Sequence, residues 1–193
     1  MINLKEIKDL QKQGEFKKAK KLYLEILKKD TNNFEVLALL GATLVQLKEY
    51  KQAIEFLQKA VEINSNIPSI YNNLGVAYTK IQNYEESIKN LEKALNLNNK
   101  YYGAYNNLGT NFKMLRQYKK AFENYKKAIQ LNHNYYEAYN NMGILLSQIN
   151  NYNESIKCFD KANDNNYFEI NCITGVKHVI LNTSAEKNFY LIS

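Results

Sequence analysis

Glycines stand at Gly41, Gly75, Gly109 and Gly143, each 34 residues after the last, and this spacing limits the fold more than any other feature of the chain. The segment Tyr71-Asn72-Asn73-Leu74-Gly75 returns as Tyr105-Asn106-Asn107-Leu108-Gly109 and again as Tyr139-Asn140-Asn141-Met142-Gly143. Other columns keep the same interval: Phe16, Tyr50, Tyr84, Tyr118, Tyr152; Ala19, Ala53, Ser87, Ala121, Ser155; and Ala60, Ala94, Ala128, Ala162. A single globular core has no reason to hold one spacing through so many columns. A stack of copies of one small unit does.

Each unit reads as two helices. In the third, Tyr71, Leu74, Gly75 and Tyr78 fall on one face of a helix A over Ser69 to Ile81. Asn83 is expected to make the turn, and Tyr84 to Leu97 a helix B with Ile88, Leu91 and Leu95 inward. The Asn-rich stretch Asn96 to Asn99 ends it, because asparagine tolerates turn geometry. One proline and seven glycines in 193 residues argue against a turn-rich β fold, and 45% apolar content argues against disorder. A lone hairpin cannot bury both its helices, so the units must stack into a right-handed superhelical array. At the crossing of A on B, Gly75 is expected to meet the small residues Ser87 and Ala94, which lets the axes approach.

These residues resemble the tetratricopeptide repeat family, whose helix pair carries an aromatic, Leu-Gly and Tyr, then spaced Ala, aromatic and Ala. Here the places are held by Tyr71, Leu74-Gly75, Tyr78, Ser87, Leu91 and Ala94, and by Tyr105, Leu108-Gly109, Phe112, Ala121, Tyr125 and Ala128. The family's proline after helix B is missing, with Ser65, Asn99, His133 and Tyr167 in its place. The first unit has Asn3 and Glu6 where helix A core residues belong, as an amino-terminal cap requires. The expected fold is an all-α, right-handed superhelical solenoid of five such repeats (1–33, 34–67, 68–101, 102–135, 136–168). A capping helix over 169–182, with Ile173, Val176 and Ile180 on one face, and a tail over 183–193 complete it.

The resemblance places helix A residues two, five, six, nine and thirteen along the inner groove. Unit two contributes Glu35, Ala38, Leu39, Ala42 and Gln46; unit three Ser69, Asn72, Asn73, Val76 and Lys80. Unit four contributes Gly103, Asn106, Asn107, Thr110 and Met114, beside Lys113; unit five Glu137, Asn140, Asn141, Ile144 and Gln148. Paired asparagines therefore form a ladder through units three to five. An asparagine amide both donates and accepts, so it can hold the backbone of an extended peptide whatever its side chains. Each also costs a helix interior ~0.5–0.7 kcal/mol against alanine, a local rule broken where function is suspected. Codon bias with duplication of one unit is the competing explanation. Asn73, Asn107 and Asn141 lie where the repeat domain of the O-linked N-acetylglucosamine transferases carries a similar ladder, which implies backbone-directed peptide binding. Nothing here resembles that family's sugar-nucleotide domain. A second device of the wider family, a basic clamp on a partner's terminal carboxylate, is approached only by Lys80 and Lys113.

The remaining chemistry is sparse. His133 and His178, Cys158 and Cys172 lie at no spacing suited to catalysis or metal ligation, and neither metal nor cofactor is expected. The two cysteines make no disulfide framework, and no apolar run reaches the ~20 residues that span a bilayer. The amino terminus is charged where a signal peptide would be apolar, so a cytoplasmic setting without membrane insertion is expected. The net charge of +7 is spread over the surface. The column Lys59, Lys93, Lys127 and Lys161 reads as a solvated outer face, so nucleic acid is not the expected partner. The chain reads as a non-enzymatic scaffold for protein–protein interaction, holding a partner's extended segment through Asn72, Asn73, Asn106, Asn107, Asn140 and Asn141, with Lys80 and Lys113 beside them. The alternatives are a substrate-recruiting portion of a larger enzyme, such as a glycosyltransferase, and a structural protein that self-associates.

Overall fold

The computed structural model describes residues 3–163, in which ten α-helices follow one another in antiparallel pairs. They are α1 (Leu4–Lys12), α2 (Phe16–Leu27), α3 (Phe34–Gln46), α4 (Tyr50–Ile63), α5 (Pro68–Lys80), α6 (Tyr84–Leu97), α7 (Tyr102–Met114), α8 (Tyr118–Leu131), α9 (Tyr136–Gln148) and α10 (Tyr152–Asn163). Odd-numbered helices are the A members and even-numbered ones the B members. Each B helix packs on its own A helix, and α2, α4, α6 and α8 pack also on the next one along. The helices α3, α5, α7 and α9 also touch in succession, while no two B helices make a comparable contact among the described residues. A row packed more closely on one side must bend toward it. The A helices therefore line the concave side of an all-α solenoid.

Two kinds of turn repeat with the helices. Between A and B the chain enters the left-handed region at Gly14, Lys48, Gln82, Arg116 and Asn150, again 34 residues apart. Glycine and asparagine suit that conformation, whereas lysine, glutamine and arginine adopt it at a cost of ~1–2 kcal/mol. Asn83 is not itself the turn: Gln82 supplies the reversal, and the Asn83 side chain caps α6 by accepting from the Glu86 N–H at 3.3 Å. Between B and the next A, the Oδ1 atoms of Asn64, Asn98 and Asn132 each accept from the N–H two residues on, at 3.0 Å. These side-chain turns stand near the family's missing proline and reverse the chain by the same local logic. Pro68 opens α5, the first-turn position where its lack of an N–H costs nothing.

The glycine column is explained at the A–B crossing. A Cβ on Gly75 would lie 2.5 Å from Leu91 Cγ; on Gly109, 2.6 Å from two ring carbons of Tyr125; on Gly143, 2.8 Å from the Phe159 ring. Large knobs of helix B thus fill the notch, so the crossing is not the meeting of small residues alone that the sequence suggests. Ser87 does reach it, donating from Oγ to the Gly75 carbonyl at 2.7 Å, and Ser155 does the same to Gly143 at 2.8 Å. The buried core runs from Ile7 to Leu108 and passes through Phe112 to a second cluster of Ala121, Tyr125 and Leu145. At the amino end Glu6 is exposed and Asn3 caps α1, accepting from the Lys5 N–H at 3.0 Å. The expected capping helix over 169–182, the tail over 183–193, Cys172 and His178 lie outside the described residues.

Candidate peptide-binding groove

Helix geometry at 100° per residue puts residues five, six and nine of each A helix on the side away from its B partner. On the concave side this exposes Asn72, Asn73 and Val76 of α5, Asn107 and Thr110 of α7, and Asn140 and Asn141 of α9, all half-buried. Lys80 is exposed at the carboxyl end of α5, and Met114, 55% exposed, ends α7. In unit two the same positions are Ala38, Leu39 and Ala42, so the groove is apolar there.

The asparagines do not all face solvent. Asn106 is fully enclosed. Its Nδ2 donates to Glu137 Oε1 at 3.1 Å and to the Tyr135 hydroxyl at 3.4 Å, and its Oδ1 accepts from Asn141 Nδ2 at 3.0 Å. Expected in the groove, Asn106 instead holds α7 to α9. Ile144, also expected there, is 8% exposed and packs inside. One repeat earlier, Asn107 Nδ2 donates to Asn72 Oδ1 at 2.9 Å. Residue five of one repeat thus grips residue six of the next, 35 positions on. Asn73 has Ala38 at that place, and its side chain, like that of Asn140, makes no hydrogen bond within the described residues.

A second polar cluster lies under the groove and was not foreseen. Asn111 is buried in α7 and donates from Nδ2 to Ser87 Oγ at 2.8 Å and to the Asn107 carbonyl at 3.1 Å. Its Oδ1 accepts from Thr79 Oγ1 at 3.0 Å. Residues twelve and ten of successive repeats pair in this way, as Gln11 does with Thr43 at 2.6 Å. The legible signal was a polar residue at this place in two repeats (Thr43, Asn111) where the others carry Ala77 and Leu145. In unit four the twelfth residue is Lys113, and the register sets it opposite apolar Leu145. Lys113 makes no ion pair or hydrogen bond among the described residues, and burial holds its pKa below the usual lysine value.

Burial also pushes the Tyr125 phenol up, with the nearby Glu137 charge adding to it. The same cause raises the Cys158 thiol to about 11, which leaves it protonated and inert at neutral pH. Lys59, Lys93, Lys127 and Lys161 are all exposed on the B helices. No group of His, Cys, Asp and Glu among the described residues could hold a metal, and no described helix is long and apolar enough to cross a membrane.

Three tetratricopeptide repeat models match the chain, over residues 66–133, 41–82 and 124–157. A crystal structure of MamA matches at 30% identity and a TM-score of 0.70, covering 85% of this chain and 95% of that one. The chain belongs to the tetratricopeptide repeat family. Two further repeat structures share its fold: Pseudomonas aeruginosa PilF (23% identity, TM-score 0.72, 83% of this chain and 73% of that one) and YrrB. The latter, described as "a TPR protein with an unusual peptide-binding site", is 20% identical with a TM-score of 0.62, covering 82% of this chain and 81% of that one. No curated protein matches the chain by sequence.

Proposed function

We propose that this repeat array is a non-enzymatic scaffold that holds an extended segment of a partner protein along its concave groove. Asn73, Asn107 and Asn141 are the rungs that meet the partner's backbone. The observation that carries this reading is their shared register on α5, α7 and α9, half-buried, with hydrogen-bonding capacity still open. Amides that only packed the repeats together would be enclosed and satisfied, as Asn106 and Asn111 are. The likeness of the rung positions to those of the O-linked N-acetylglucosamine transferases supports the same reading. Lys80, exposed at the carboxyl end of α5, favours acidic residues on one flank of the bound segment, while Lys113 is half-buried one repeat on.

Replacing Asn73, Asn107 and Asn141 together by alanine tests the proposal. Alanine suits helix interiors, so the helical signal should persist, but Asn141→Ala leaves the enclosed Asn106 Oδ1 without its donor and should lower stability by ~1–3 kcal/mol while the array stays folded. Capture of partner proteins by the variant should fall at least about tenfold, the effect of a lost net hydrogen bond or more. Equal capture by the two proteins, both shown folded by their helical signal, would return the ladder to codon bias.

A further inference from the structure

The rungs are not equivalent, and the difference says what the ligand must offer. The oxygen and nitrogen of an asparagine amide are nearly equal in size, so which way the group faces is set by its hydrogen-bond partners. Asn73 has none. Asn107 is tied to Asn72, but the Nδ2 of Asn72 is itself uncommitted, so that pair could reverse together. Asn141 differs. Glu137 is a carboxylate and only accepts, so Asn106 must turn its Nδ2 toward Glu137 Oε1, 3.1 Å away. Its Oδ1 is then left facing α9, where it can only accept. Asn141 must answer with Nδ2, which it does at 3.0 Å. The Tyr135 hydroxyl donates to Glu137 Oε2 at 3.0 Å and holds the carboxylate in place. Asn106 is fully enclosed, so its amide is satisfied by these side chains, while Glu137 and Asn141 are half-buried.

We propose that Glu137, acting through Asn106, polarises the Asn141 rung, so that its free Oδ1 binds a backbone N–H of the ligand. This rests on the groove reading above and narrows it. The site takes a peptide residue with a free N–H, and it rejects proline or an N-alkylated residue at that one place. Glu137 and Asn106 are positioning residues that do not touch the ligand. Neighbouring helix axes lie ~8–10 Å apart and an extended chain rises ~3.3 Å per residue, so successive rungs meet the ligand about every three residues. Only the rung at Asn141 has its polarity imposed by a charge.

The experiment uses a short peptide, selected from a random library on the immobilised protein and kept because Asn141→Ala weakens its binding. Each residue is N-methylated in turn and the affinities are measured against wild type, Glu137→Gln and Tyr135→Phe. In wild type one position should lose about tenfold or more, as an unpaired acceptor facing a blocked donor requires. In Glu137→Gln the relay can reverse, and the loss at that position should shrink to about twofold, while Tyr135→Phe keeps it near the wild-type value. A merely structural role for Glu137 would weaken all the methylated peptides alike and leave their ratio unchanged. An unchanged ratio in Glu137→Gln, with the melting temperature preserved, overturns the inference. A flat scan in wild type overturns it as well. If no peptide depends on Asn141, the groove reading itself has failed.

Discussion

Gly109→Ala is the substitution that most sharply probes the packing. The new Cβ would lie 2.6 Å from Tyr125 Cδ1 and Cε1 and 3.0 Å from Cζ. Carbon atoms sit comfortably at ~3.5–4.0 Å, so the ring must retreat by about 1 Å. It has nowhere to go: Tyr125 is fully buried, with its hydroxyl donating to Thr110 Oγ1 at 3.3 Å. Overpacking costs ~1–3 kcal/mol, and against a fully enclosed ring the upper part of that range, ~2–3 kcal/mol, applies; removing a helical glycine returns ~1 kcal/mol, so net destabilisation should be roughly 1–2 kcal/mol. At Gly143 the facing ring is Phe159, at 2.8, 2.9 and 3.1 Å, and it is only half-buried on the last described hairpin. It can swing outward, so Gly143→Ala should be near neutral. Urea unfolding followed by circular dichroism measures both. In a Tyr125→Ala background the penalty of Gly109→Ala should vanish, because the knob is gone. Equal stability of Gly109→Ala and wild type, or an undiminished penalty in the double variant, would refute the crossing described above.

Other consequences are open to direct measurement. Gln82→Gly and Arg116→Gly relieve left-handed strain and should each raise stability by about 0.5–1 kcal/mol in urea titrations, less than the full strain because glycine loses more chain entropy. Asn111→Ala strips partners from Thr79 and Ser87 and should cost ~1–3 kcal/mol, with unfolding that splits between the third and fourth hairpins. Tyr23 is raised from 10.0 to about 12 by burial, with Glu35 adding to it. Its contribution to stability is therefore intact below pH 10 and lost as pH rises through the folded value near 12, seen as late phenolate absorbance that unfolding moves earlier. In a Cys172→Ser background, Cys158 should resist iodoacetamide at pH 8 until denaturant is added.

The period made most of the fold legible. Helix B of the third unit is predicted and found over the same residues, Tyr84–Leu97, and helix A is displaced by one residue. What repeats in the sequence repeats in the structure, because each hairpin solves the same burial problem. The site was legible only in part. Counting along one helix gives the direction of a side chain but not what waits on the next repeat. Asn106 and Asn107 look alike in sequence, yet Glu137 and Tyr135 close over the first and leave the second half open. The left-handed turns at Lys48, Gln82 and Arg116 were hidden for another reason: their residues are poor formers of that conformation, which the surrounding hairpin imposes.

The claim on which the functional account turns is that amides of successive A helices face a ligand together. Side-chain amide NMR signals, followed as the library-selected peptide is added, report on it directly. The account predicts that the NH2 resonances of Asn73, Asn107 and Asn141 move in one saturable step while residues around Lys93 and Lys127 stay still. Unmoved asparagine signals, with shifts gathered on the B helices instead, would contradict it.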